Sequence, residues 1–113
     1  MSSDDPKHWL RGMLEAIERI RRHVRGFTAQ RFAADEKTQD AIERCLERLS
    51  EAARKLGDAL DAKYPEVEFK KLRQLGSMLR HDCDEVDPAL IWRTIAHRLD
   101  LLEAACRKEL KSG

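Results

Sequence analysis

The chain has 113 residues, 42% of them hydrophobic, which allows one domain (residues 1–113) with a modest core. Ala, Leu, Glu, Arg and Lys dominate, only 5 glycines and 3 prolines interrupt them, and no run of β-branched or aromatic residues alternates with polar ones; this argues against a sheet. A net charge of +1 argues against a general DNA-coating protein, and no apolar run approaches the roughly 20 residues that span a bilayer.

The class expected is all-α. Asp4, Asp5 and Pro6 open a first helix, since acids suit the start of the helix dipole and Pro fits the first turn. Leu10, Met13/Leu14, Ile17, Ile20 and Val24 form its apolar stripe, Gly26 marks its end, and Phe27 and Phe32 are placed to plug the corner. A second helix begins near Asp35 with the stripe Ile42, Cys45/Leu46, Leu49, Ala52/Ala53, Leu56 and Leu60. "YPEVEF" interrupts it, because Pro65 disfavours the helical region for Tyr64. A third helix is expected over residues 67–81. A fourth starts at Asp87-Pro88, with the stripe Ile91/Trp92, Ile95, Leu99, Leu102, Ala105/Cys106 and Leu110. Four amphipathic helices with short connections pack most simply as an antiparallel up-and-down bundle.

Charge is uneven along the chain. Residues 7–31 hold seven Lys/Arg against two Asp/Glu, whereas residues 35–62 hold five against eight. A basic first helix suits RNA phosphates or an acidic partner; the plain alternative is a solvated helix face. The three cysteines form no paired spacing, and the polar, acidic N-terminus does not read as a signal peptide, so a reduced cytoplasmic setting with no membrane is expected.

The stretch "LGSMLRHDCDEVDP" gathers Arg80, His81, Asp82, Cys83 and Asp84 before the last helix. A structural metal site needs four ligands, usually in paired spacings, and no second Cys/His cluster exists; Cys45 and Cys106 sit in apolar stripes. No metal and no cofactor are therefore expected. Cys83 as a nucleophile needs a base, and His81, two residues away, would point to nearly the opposite face of a shared helix.

RNA cleavage through the 2′-hydroxyl fits better. It needs a group titrating near neutrality, which His81 supplies, and fixed positive charge on the developing phosphorane, which Arg80 supplies. Arg73 and Arg80, seven apart, share a helical face, with the small Gly76 and Ser77 between them. The plain alternative is a helix end where Arg and His offset the dipole. His8, His23 and His97 read as helix-surface residues, and Trp92 as a core or interface anchor.

Three segments, "MLEAIERI", "GFTAQRFAADEKTQDAIERCLERLSEAARKL" and "YPEVEFKKLRQLGSMLRHDCDEVDPALIWRTI", together resemble the HepT-like family of HEPN domains, and the resemblance extends over nearly the whole chain. The resemblance implies an all-α bundle that dimerises. It also implies a toxin ribonuclease paired with a small nucleotidyltransferase antitoxin. The family motif is Arg, four to six residues, then His, often followed by x-Tyr, and the antitoxin can adenylylate that Tyr. Here His81 takes the place of the motif His, while Gly76 stands five residues earlier where Arg is expected. Ser77 replaces the usual Asn, and Cys83 stands at the position of the Tyr. Arg80 directly before His81, and Arg73 further upstream, are the nearest positive charges.

The resulting expectation is a homodimeric, metal-independent endoribonuclease acting on RNA. His81 is the acid/base, Arg80 holds the phosphate, and Arg73, Ser77 and Gly76 line the substrate. The alternative is a catalytically degenerate module that binds a nucleotidyltransferase partner or a nucleotide; a plain structural bundle is a third reading.

Overall fold

Asp5 caps the first helix as its sequence suggests: its carboxylate accepts from the Lys7 amide (3.0 Å), and α1 runs Pro6–His23. The computed structural model describes residues 5–81 and 86–112. Leu10, Met13, Ala16, Ile17 and Ile20 of α1 are buried, close to the stripe read from the sequence. The helix stops three residues before Gly26, which takes a positive φ of 79° in the following turn.

A short helix not anticipated from the periodicity follows, α2 (Ala29–Ala33). Its local chemistry is complete at both ends. The Thr28 hydroxyl accepts from the Arg31 amide (3.1 Å), and the Gln39 amide group donates to the carbonyls of Phe32 (2.8 Å) and Ala33 (3.0 Å). One turn is too short to show a periodic stripe, which is why only Phe32 signals it. Phe32 is fully buried, with its ring centroid 5.4 Å from that of Trp92.

Asp35 caps α3 (Glu36–Leu56), accepting from the Thr38 amide at 3.0 Å. The expected continuation to Leu60 does not occur. Gly57 adopts φ 80° and ψ −154°, a region open essentially to glycine alone, and its N–H closes back onto the Ala53 and Arg54 carbonyls. Leu60 is buried nonetheless, from the turn that follows.

Pro65–Val67 forms a single 3-10 turn, and Glu68 then takes the left-handed conformation (φ 57°), so the next helix starts later than expected: α4 is Phe69–His81. The corner is tied to the last helix, α5 (Pro88–Ser112), at two points. Glu68 pairs with Arg98 (3.0 Å). The Tyr64 hydroxyl donates to Glu109 Oε2 (2.6 Å), which Lys63 also approaches (2.6 Å).

Helix α3 is the central strut, packed between α1 and α4, while α5 packs against α1 and receives α2 and the 65–67 turn. One apolar cluster runs through all of them, including Ile42, Leu46, Leu49, Ile91 and Leu102. Among the described residues the backbones of α4 and α5 come close at few points, and a groove lies between their side chains. The fold is all-helical, and a fifth short helix joins the four expected. No helix among the described residues is long and apolar enough to cross a membrane.

At the α3–α4 corner, Arg73 holds Asp61 through two hydrogen bonds (3.1 and 2.7 Å) and donates a third to the Gly57 carbonyl (3.2 Å). The guanidinium bonds hold the Asp61 carboxyl below its ordinary range.

Two outcomes are expected. Arg73→Met should lower stability to urea by about 1 kcal/mol, a value discounted for solvent screening at the partly exposed Asp61; Asp61→Asn in the same chain should add less than its cost alone. Tyr64, the single tyrosine, should titrate at about 12, because its O–H donates to Glu109 and its neutral form is favoured. The folded value is raised, so this stabilisation is complete below the ordinary phenol value and is lost as pH rises from about 10 to about 12. Phenolate absorbance of the folded protein reads it directly, and Glu109→Gln should bring it back toward the ordinary value.

Candidate active site

The residues selected from the sequence all fall on α4 or just after it. Arg73, Gly76 and Ser77 are in its middle, and its last described residues are Arg80 and His81. The side chains of Arg80 and His81 lie outside the described portion, as do residues 82–85, including Cys83. The helical backbone through residue 81 nonetheless sets a register: residues 73, 76, 77 and 80 recur on one side of α4.

Along that side the environment changes. Arg73 is only 21% exposed, with its guanidinium engaged by Asp61 and Gly57. Its backbone carbonyl accepts from the buried Ser50 hydroxyl of α3 (3.4 Å). Gly76 is buried and Ser77 is exposed, so the face emerges from the α3 contact within one turn. A phosphate contact from Arg73 would require displacing a bidentate carboxylate. The sequence pattern could not reveal this, because Asp61 belongs to an irregular segment whose approach to α4 depends on where Gly57 ends α3.

Beside this face, α4 and α5 border a groove of about 350 Å3. Its walls are largely apolar: Leu72, Leu75 and Met78 from α4 face Leu90 and Thr94 from α5, with Arg98 at the rim. Arg98 Nη1 is buried without a hydrogen-bond partner among the described residues.

Other candidate chemistry is quiet. Among the described residues no three His, Cys, Asp or Glu side chains are grouped to hold a metal ion. Cys45 and Cys106 are free and buried; burial pushes the Cys106 thiol up to about 12 and raises that of Cys45. Neither is suited to be a thiolate nucleophile. His23 and His97 are exposed. His8 is exposed too, but has a partner that spacing did not identify: its ring meets Trp9 edge-on at 4.5 Å.

The family model described as Ribonuclease HepT-like matches residues 13–109. A probable ribonuclease HepT of Thermococcus cleftensis is 28% identical over 102 residues, covering 90% of this chain and 93% of that protein. A Methanocaldococcus jannaschii protein named as an RNase is 27% identical over 111 residues, 98% of this chain and 92% of its own length. A Caldanaerobacter subterraneus protein named likewise is 26% identical over 106 residues, with 94% and 95% covered. No solved structure matches the chain. The family match takes in α3, the α3–α4 corner, all of α4 and most of α5; the chain belongs to the HepT-like ribonuclease family.

Proposed function

We propose that the protein is a metal-independent endoribonuclease, the toxin of a toxin–antitoxin pair whose antitoxin is a small nucleotidyltransferase. What supports this reading is the family match over residues 13–109, which takes in all of α4, the helix on which the sequence resemblance puts His81 at the motif histidine. Relatives along nearly the whole chain bear ribonuclease names.

In this reading His81 accepts the proton of an RNA 2′-hydroxyl. The oxygen attacks the adjacent phosphorus, the bond to the 5′-oxygen breaks, and that leaving oxygen takes up a proton. The products are a 2′,3′-cyclic phosphate and a 5′-hydroxyl. Arg80 stabilises the charge on the phosphorane. Ser77, exposed on the same face, gives the RNA backbone room, whereas Gly76 is buried and only lets α4 pack closely. Arg73, already paired with Asp61, contributes less than Arg80. The work is done in the cytoplasm by a homodimer. The groove between α4 and α5 supports that assembly, because the half-buried Met78 and Leu90 line it beside the site segment, where a second copy would cover them and bring a second Arg80–His81 pair to one cleft.

A second reading is favoured by one feature: Gly76 occupies the motif's arginine position. It makes the chain a cleavage-dead module that binds the nucleotidyltransferase or a nucleotide through the same face.

The purified chain, assayed on RNA in EDTA, should cleave. His81→Ala should abolish cleavage while costing on the order of 1 kcal/mol of stability or less, Arg80→Ala should act similarly, and Arg73→Ala should be milder on activity. Parent-rate cleavage by a folded His81→Ala protein would remove His81 from the mechanism, and absence of cleavage by the parent would favour the binding-module reading. Light scattering should give the dimer mass at micromolar concentration; a clean monomer would count against the shared cleft.

A further inference from the structure

On the side of α3 away from α4, helices α1 and α3 border an open groove of about 570 Å3. Its depth comes from small residues: Ala16 and Ala52 line it, and Gly12 is exposed on its wall, where an added Cβ would meet nothing within 4 Å. Its charged lining holds four arginines against the three glutamates Glu15, Glu47 and Glu51. Arg11 and Arg19 come from α1, Arg44 and Arg48 from α3. Arg11 and Arg48 are exposed and have no ion pair among the described residues. Arg19 pairs with Glu15 (3.2 Å) and Arg44 with Glu47 (3.8 Å), both at the exposed surface, where such pairs are weak and easily exchanged. The third acid on the wall, Glu51, is held by Arg54 through two bonds (3.1 and 2.8 Å), so the groove carries an excess of positive charge.

Burial raises the Cys45 thiol, and the charges of Arg19, Arg48, Arg22 and Arg44 oppose that rise. Trp9 lines the groove, half-buried against the core, with His8 set edge-on to its ring.

We infer that this groove is a second RNA-binding site, a track that holds single-stranded RNA outside the α4 cleavage face, with Arg11 and Arg48 on phosphates and a base against Trp9. The inference rests on the ribonuclease reading for the identity of the ligand. Exposed guanidinium groups without an ion pair among the described residues, beside an aromatic ring, suit a single strand, since every base offers a stacking face while the backbone seeks positive charge. An acidic protein surface would satisfy the arginines and leave the aromatic pair without a role. Two of the seven Lys/Arg in residues 7–31, Arg11 and Arg19, line the site.

The test uses a labelled single-stranded oligouridylate with methylated 2′-hydroxyls, so that binding is read without cleavage, by anisotropy across a salt series. Arg11→Gln with Arg48→Gln should weaken binding by on the order of tenfold or more and lower the slope of log affinity against log salt by about 1.4, two phosphate contacts on a single strand. Gly12→Glu should weaken it as well, and because glutamate favours a helix interior over glycine, unfolding would not explain that loss. In Trp92→Phe, which leaves Trp9 as the one tryptophan, the RNA should quench its fluorescence and polyglutamate should not. Equal affinity and slope in parent and groove variants would overturn the inference. So would no binding by the parent, or equal quenching by polyglutamate, which would mark an acidic-protein surface instead. Cleavage of unmethylated RNA is scored separately. Groove-dependent binding without cleavage would remove the ribonuclease reading and keep the groove; cleavage with groove-independent binding would do the reverse.

Discussion

The contact on which the candidate site depends is the clasp of Arg73 on Asp61 and the Gly57 carbonyl. Three hydrogen bonds from one planar guanidinium join the end of α3, the turn after it and the middle of α4. The clasp works because Gly57 stops α3 with a backbone conformation closed to other residues, which returns the chain toward α4 and exposes a carbonyl to the guanidinium. The buried Ser50 hydroxyl on the Arg73 carbonyl adds a second tie between the same two helices. With α4 anchored at its middle against α3, its last turn, which carries Arg80 and His81, is delivered to a defined end of the bundle.

The opposite flank of the same corner is held by charge on α5. Glu109 receives both Lys63 and the Tyr64 hydroxyl, and those two contacts, the lysine first, hold its carboxyl below the ordinary range. Glu68 occupies a left-handed conformation that costs a non-glycine residue on the order of 1 kcal/mol, and its carboxylate is placed between Arg98 and Lys71. The segment between α3 and α4 is thus anchored on both sides, while a groove separates part of α4 from α5. That combination leaves an apolar groove next to the proposed site without loosening the helix that carries it.

Charge is divided between two surfaces. On the α1–α5 side Arg21 is consumed by Asp100 and Glu103 (2.8 and 3.0 Å), and Arg107 also reaches Glu103 (2.9 Å). On the α1–α3 side Arg11 and Arg48 are exposed and have no ion pair among the described residues. A net charge of +1 therefore conceals a sided molecule, in which one face of α1 is electrically matched to its neighbour and another is not. Fixed charge of this kind attracts anions regardless of what happens at α4.

The sequence by itself determined the helical class, the helix starts near Asp5, Asp35 and Asp87, and the buried stripes of α1, α3 and α5, because start signals and a 3.6-residue period are local and repeat over several turns. It also singled out residues 73–83 by their chemistry, and their resemblance to a family motif was legible before any coordinates. Tertiary structure alone decided the rest. Helix α2 is one turn long and depends on Gln39 reaching back seven residues to the Phe32 carbonyl, a bond no periodicity records. Leu60 continued the α3 pattern in sequence, yet the backbone of Gly57 removed it from the helix, since a hydrophobic spacing reports burial and not φ. Whether Arg73 is free or paired turned on Asp61, twelve residues away in an irregular turn. The arginine groove joins residues from α1 and α3 that are far apart in the chain, and only the packing of the two helices makes them one surface.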